Sequence, residues 1–179
     1  MNFYKTEITD LIICQPKIIE DSRGYFFESF KAEELNKFLG KEIKFIQDNE
    51  SFSHKGTLRG LHFQKTPYEQ TKLVKVAKGE ILDVAVDIRK NSKTYGNHFK
   101  IILSDKNKKQ LLIPKGFAHG FLVLSNEATV CYKVDQKYSP KHDSGIIFND
   151  KILKIDWDYD LDKINLSDKD KNLSSFGSN

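Results

Sequence analysis

Apolar and polar residues alternate along this chain in short runs, with turn residues breaking the pattern about every ten positions. The clearest run is Ile81-Leu82-Asp83-Val84-Ala85-Val86-Asp87-Ile88. On a strand, Leu82, Val84, Val86 and Ile88 share one face while Asp83 and Asp87 point to the other. Similar runs predict strands over 11–14, 17–20, 25–30, 44–47, 57–63, 72–77, 99–103, 110–113, 120–124, 129–134 and 145–148. One helix is predicted over 31–39, where Leu35, Phe38 and Leu39 fall at i, i+3 and i+4. The polar C-terminal stretch has room for a short helix near 167–173. Many short strands at this spacing predict an all-β sandwich or barrel.

Composition narrows the classes. A length of 179 residues suits a single domain, 1–179. Thirteen Phe favour strands, and 39% hydrophobic residues suffice for a core. The net charge of +4 is spread along the chain, with lysines interleaved among Asp and Glu. A nucleic-acid binder concentrates its charge on one face and carries a motif; neither is present here. Cys14 and Cys131 are far apart and lack metal-ligand spacing, which suits a reducing compartment. Neither a signal peptide nor an apolar run approaching ~18 residues is read, so the expectation is a cytoplasmic protein that does not enter a membrane.

Candidate chemistry centres on Gly56-Thr57-Leu58-Arg59-Gly60-Leu61-His62-Phe63-Gln64. The chain holds three arginines, Arg23, Arg59 and Arg89, among 29 Lys and Arg. Where Lys is the default cation, an Arg suits a phosphate or carboxylate partner that needs a flat, permanently charged fork. His62 beside it is a titratable base. The same nine residues also fit an edge strand with a solvated Arg and a structural His. Pro114-Lys115-Gly116-Phe117-Ala118-His119 follows an apolar run and resembles the second motif of the cupin jelly roll; Gly56, His62, Glu69 and Gly79 resemble the first. Metal-binding cupins place His-x-His in the first motif, but here the triplet is His62-Phe63-Gln64. Only His62, His119 and Glu69 would remain as ligands, so neither a metal nor any other cofactor is expected.

Further segments lie in the same order: Asp21-Ser22-Arg23-Gly24-Tyr25-Phe26-Phe27-Glu28, Gln47-Asp48-Asn49-Glu50-Ser51, Lys72-Leu73-Val74, Tyr132-Lys133, Tyr138-Ser139-Pro140 and Leu166-Ser167-Asp168-Lys169-Asp170. With the motifs above, they make almost the whole chain resemble the dTDP-4-dehydrorhamnose 3,5-epimerase family, metal-free cupins of deoxysugar biosynthesis. The resemblance implies a cupin-type double-stranded β-helix (jelly roll) with a few short peripheral helices. It implies epimerisation at C3 and C5 of a nucleoside-diphosphate 4-keto-6-deoxy sugar. His62 is then the base and Tyr132 the acid. Asp170 orients the imidazole, with Asp168 as a rival, and Lys72 stabilises the enolate. Arg23, Glu28, Gln47, Asn49, Arg59, His119, Tyr138, Asp143 and Lys169 would bind substrate. Two positions depart from the family: Asp143 stands where Glu is frequent, and Phe148 where Trp is common. Family members are typically dimers, and an N-terminal strand over 3–8 has a free edge to offer a partner.

Other readings share much of this chemistry. Inversion at C3 or C5 alone, or on another carrier such as a GDP-linked heptose, needs the same base, acid and ketone. A sugar-nucleotide ketoisomerase would lack the Arg-Gly-Leu-His run. A sugar-binding cupin without activity would lack His62, Tyr132 or the acidic partner, and all three are present.

Overall fold

The computed structural model describes residues 1–178. Its elements are β1 (Asn2–Lys5), β2 (Ile12–Gln15), β3 (Ile19–Asp21), β4 (Gly24–Phe26), α1 (Ala32–Leu39), β5 (Gln47–His54), β6 (Leu58–Gln64) and β7 (Lys72–Lys78). They continue as β8 (Glu80–Asp87), β9 (His98–Ser104), β10 (Gln110–Ile113), β11 (Phe117–Val123), β12 (Glu127–Val134), β13 (Asp143–Gly145) and α2 (Asp168–Lys171). The first sheet has the order β1-β2-β10-β7-β12-β5 and the second β13-β6-β11-β8-β9. From β5 onward the chain crosses from one sheet to the other at every connection except the β8–β9 hairpin. This is the jelly roll that the sequence implied, with helices only at the periphery.

Three apolar layers hold it together. Val74, Val76, Leu111, Ile113 and Val130 of the first sheet meet Ile81, Ala85, Leu103, Phe117, Phe121 and Val123 of the second. The outer face of the second sheet, with Leu58, Leu61, Leu82, Val84, Val86 and Leu122, is covered by Ile146, Phe148, Leu153, Ile155 and Trp157 of the C-terminal segment. Phe148 packs in this layer. The α1 helix covers part of the first sheet through Leu35, beside Ile12, Cys14, Leu73 and Leu112. Because β8 is covered on both sides, the face with Asp83 and Asp87 is an interior face, and both aspartates are at 0% exposure.

Most predicted strands are present with shifted ends. The largest difference is β5. The apolar signal at 44–47 marks only its approach; the strand itself, Gln47–His54, is polar. Eight residues pair antiparallel with β12, opposing Gln47 to Val134, Asn49 to Tyr132, Ser51 to Val130 and Ser53 to Ala128. Its inward face is therefore a row of amides and hydroxyls, and pairing rather than hydropathy holds it in place. The small β3–β4 ribbon differs in another way. It joins neither large sheet, and Ile19, Tyr25 and Phe26 stay more than half exposed.

Strand β6 contains the feature on which the site depends. Strict alternation would put Arg59 and His62, three positions apart, on opposite faces. Instead His62 pairs with His119, and Arg59 with Phe121, across a register shift. Gly60 and Leu61 thus oppose the single residue Gly120, a β-bulge that returns both side chains to the inner face. Gly60 has φ +116°, and a Cβ there would lie 2.6 Å from the His119 carbonyl oxygen and 2.7 Å from Gly120 Cα. Both contacts are with backbone, which cannot move aside. Gly60→Ala is expected to cost about 2–4 kcal/mol in urea unfolding; a change within about 0.5 kcal/mol would show that the bulge tolerates a side chain.

Candidate active site

A cavity of about 170 Å³ opens between the two sheets, lined by Ser51, Arg59, His62, Lys72, His119, Phe121 and Tyr132. It adjoins a hollow of about 420 Å³ that shares Arg59 and His62 and is closed by Asn165, Leu166, Ser167, Lys169 and Asp170. A larger hollow of about 570 Å³ lies outside the first sheet, lined by Asp48, Glu50, Lys75, Cys131 and Lys133 among others, and has no histidine. His62 and His119 of the second sheet thus face Lys72 and Tyr132 of the first across the inner cavity.

His62 Nε2 lies 2.5 Å from Asp170 Oδ1. A carboxylate only accepts, so the shared proton belongs to Nε2, and Nδ1 carries the lone pair of the neutral ring. Asp170 is held from three sides. Ser167 caps α2, accepting from the Asp170 amide at 3.1 Å, and Asp170 Oδ2 accepts from the Gly60 amide at 3.3 Å. Burial pushes the Asp170 carboxyl up, but the hydrogen bonds from His62 and the Gly60 amide outweigh it and hold the group below its usual range. The rival is excluded by position: the Asp168 side chain is 96% exposed and pairs with Lys171, whereas that of Asp170 is 4% exposed.

On the opposite wall, Tyr132 packs against the core, and burial raises its phenol above the usual range against the opposing charge of Arg59. It therefore stays protonated and able to donate. Burial lowers the Lys72 ammonium to about 8, with the charges of Asp83 and Asp143 acting against that shift. His119 Nε2 lies 2.9 Å from Asp83 Oδ2, both residues buried. Arg59 spends Nε on Ser53 Oγ at 2.9 Å and Nη2 on the Phe52 carbonyl at 3.2 Å. The remaining N–H groups of its fork bond nothing among the described residues.

Tyr138, Asp143 and Lys169 form a second cluster. Asp143 Oδ2 accepts from the Tyr138 hydroxyl at 3.0 Å and from the Lys169 ammonium. The remaining predicted contacts lie elsewhere. Gln47 donates to Asn49 Oδ1 at 2.7 Å on the inner face of β5, at the strand's open edge. Arg23, with its side chain 87% exposed, sits on the β3–β4 ribbon and pairs with Asp21. Glu28 is exposed and pairs with Lys31. Neither Arg23 nor Glu28 lines the inner cavity of this chain. Glu69, weighed as a metal ligand, accepts instead from Thr66 Oγ1 at 2.5 Å. Among the described residues no three His, Cys, Asp or Glu are grouped to hold a metal ion.

Sequence reasoning missed four residues here. Ser51 lines the cavity, and its hydroxyl is buried without a partner among the described residues. Ser53 steadies Arg59, and Asp83 lies behind His119. A period-2 row of polar residues at 47, 49, 51 and 53 was the available signal for the two serines. Gln64, noticed only as a missing imidazole, is a latch. Its Nε2 donates to the carbonyls of Tyr68 at 2.7 Å and Lys137 at 3.1 Å, and its Oε1 accepts from the Ser139 amide at 2.6 Å. Those bonds pin the loop that carries Tyr138. Gln64→Leu is expected to cost on the order of 1–3 kcal/mol and to speed hydrogen exchange at the Ser139 amide; unchanged exchange there would remove the latch.

Known proteins agree with this architecture. The family model described as dTDP-4-dehydrorhamnose 3,5-epimerase matches residues 5–178. The dTDP-4-dehydrorhamnose 3,5-epimerase of Shigella flexneri is 49% identical over 176 residues, covering 98% of this chain and 96% of that one. The crystal structure of the enzyme of the same name from Elizabethkingia anophelis superposes with a TM-score of 0.95 at 43% identity, covering 98% and 96% of the two chains. The 3,5-epimerase of Legionella pneumophila, in complex with dTDP-4-keto-L-rhamnose, gives a TM-score of 0.93 at 47% identity, covering 97% and 92%.

Proposed function

We propose that this chain, which belongs to the dTDP-4-dehydrorhamnose 3,5-epimerase family, inverts C3 and C5 of a dTDP-linked 4-keto-6-deoxy sugar with His62 as base and Tyr132 as acid. The observation that carries the assignment of roles is one cavity with a carboxylate-backed imidazole on one wall and a protonated phenol on the other.

The C4 ketone acidifies the hydrogens on both neighbouring carbons. His62 Nδ1 takes one of them, and the C–H electron pair moves into the enolate, leaving negative charge on O4. Asp170 stabilises the resulting imidazolium and holds the ring in the productive tautomer. Lys72, an ammonium below about pH 8, meets the charge on O4 in a cavity where water screens little. Tyr132 then protonates the carbon from the opposite face, which inverts it; once the imidazolium has given its proton to water and the phenolate has taken one back, turning the sugar brings the second carbon to the same base. The free N–H groups of Arg59 suit the pyrophosphate. Tyr138, Asp143 and Lys169 suit the nucleotide end, and His119, Asn49 and Gln47 the sugar hydroxyls. The ligand bound to the Legionella relative carries the 4-ketone that this chemistry needs, which supports dTDP as the carrier.

Proton NMR in heavy water with the dTDP-4-keto-6-deoxy sugar tests the assignment. Wild type should wash out the hydrogens at both C3 and C5. His62→Ala should slow exchange at both carbons by about 10²–10⁴-fold. Tyr132→Phe should reduce net inversion far more than exchange, because abstraction and return on one face need no acid opposite. Exchange at a single carbon would make the enzyme a mono-epimerase, and equal loss of exchange and inversion in Tyr132→Phe would remove the phenol from the acid role.

A second copy of the chain completes the picture. A two-stranded ribbon is marginal alone in water, yet β3–β4 leaves Ile19, Tyr25 and Phe26 exposed and carries Arg23. We place that face against a partner subunit, so that Arg23 and Glu28 act away from their own cavity. Wild type should sediment as a homodimer and Phe26→Arg as a monomer; a monomeric wild type would overturn the assembly. The cytoplasm suits the two widely separated thiols.

A further inference from the structure

Asp83 has no part in the reaction as derived above. It sits on β8 at 0% exposure, behind His119 rather than in the cavity lining. Its Oδ2 accepts from His119 Nε2 at 2.9 Å, while Oδ1 is buried with no hydrogen-bond partner among the described residues. Burying a carboxylate with one bare oxygen is costly. A side-chain amide of the same shape would accept the same bond from His119 through its carbonyl at a smaller cost. Orienting the imidazole therefore does not account for a carboxylate here; its charge has to answer another charge.

Lys72 lines the same cavity as His119, the ring that Asp83 holds. The groups around it are Asp83 from β8, His119 from β11, Arg59 and His62 from β6, Tyr132 from β12 and Asp143 from β13. The anions acting on its ammonium are Asp83 and Asp143. Asp143 is already engaged by Lys169 and Tyr138, so its field is partly spent. Asp83 has an uncommitted oxygen and no exposure to water that would screen it.

We propose that Asp83 is a positioning residue whose buried charge keeps Lys72 an ammonium in the dry cavity while its other oxygen fixes the ring of His119. The inference rests on the reading of Lys72 as the cation that meets the enolate oxygen. Neutralising Asp83 leaves the desolvation of Lys72 opposed by Asp143 alone, so the ammonium gives up its proton at lower pH. The alkaline limb of kcat, set by loss of that proton, then moves down.

The test uses the full chain as wild type and Asp83→Asn, with two readouts: kcat against pH, and the titration of Lys72 followed by NMR of lysine labelled at Cε. The expected result is a fall of about one pH unit or more in both, a tenfold loss of ammonium at a given alkaline pH. A purely structural role would lower kcat evenly across pH and leave the Lys72 titration in place. An unmoved Lys72 titration overturns the proposal, whatever happens to kcat. A shifted titration with an unshifted alkaline limb supports the link between Asp83 and Lys72, and it is then the catalytic reading of Lys72 that fails. Where Asp83→Asn is too unstable to assay, the double variant Asp83→Asn with Lys72→Met removes both charges. Recovery of the wild-type melting temperature to within a few degrees supports compensation between the two, and melting as low as the single variant overturns it.

Discussion

One extra residue in β6 organises the site. Gly60 and Leu61 occupy the space opposite Gly120, and alternation restarts after them. Arg59 and His62 consequently face the same interior, the first toward the mouth and the second within. The bulge also frees the Gly60 amide from the ladder, and Asp170 Oδ2 accepts from it. The other oxygen of that carboxylate holds His62. A backbone irregularity, the docking of α2 and the orientation of the His62 ring are therefore parts of one hydrogen-bonded structure, and removing any of them leaves a buried polar group unpaired.

Buried charge sets the second rule of the interior. The second sheet supplies two imidazole–carboxylate pairs, His62–Asp170 and His119–Asp83, on the neighbouring strands β6, β8 and β11 and on α2. The first sheet faces them with a lysine and a tyrosine. Inversion at carbon requires a base and an acid on opposite faces of a planar enolate, and a sandwich of two sheets provides two walls by construction. The same burial raises the Tyr132 phenol and lowers the Lys72 ammonium, so desolvation acts on both groups of that wall. Tyr132 is kept protonated, and Lys72 is brought down to about 8.

Much of this was legible in the chain. The β8 run, the Pro-x-Gly-x-x-His segment and the Leu35, Phe38, Leu39 stripe carried enough period to place their elements. Strand β5 was not legible because its inward face is Gln47, Asn49, Ser51 and Ser53; a strand that lines a polar cavity has no hydrophobic signature. Motif spacing favoured Asp170 over Asp168, but both closely follow the capping Ser167, and only the docking of α2 on β6 turns one of them inward. Gln64 was read for the imidazole it is not. Its role in bracing the Tyr138 loop depends on the carbonyls of Tyr68 and Lys137, which sequence does not bring near it.

The amino-acid sequence alone determined the fold class, the family resemblance and the kinds of chemical groups available, because these depend on residue type, period and order. The tertiary structure decided which groups meet. Period-2 alternation predicts that Arg59 and His62 point apart, and only the register of β6 against β11 reverses that. Asp83 and Asp170 become partners of histidines 36 and 108 residues away because antiparallel pairing and the docking of α2 bring them together. Arg23 and Glu28, which the sequence grouped with the rest, are separated from the cavity by the path of the chain. Residue type sets what a side chain can do, but distance and desolvation decide whether it does it, and both come from the packing of the two sheets.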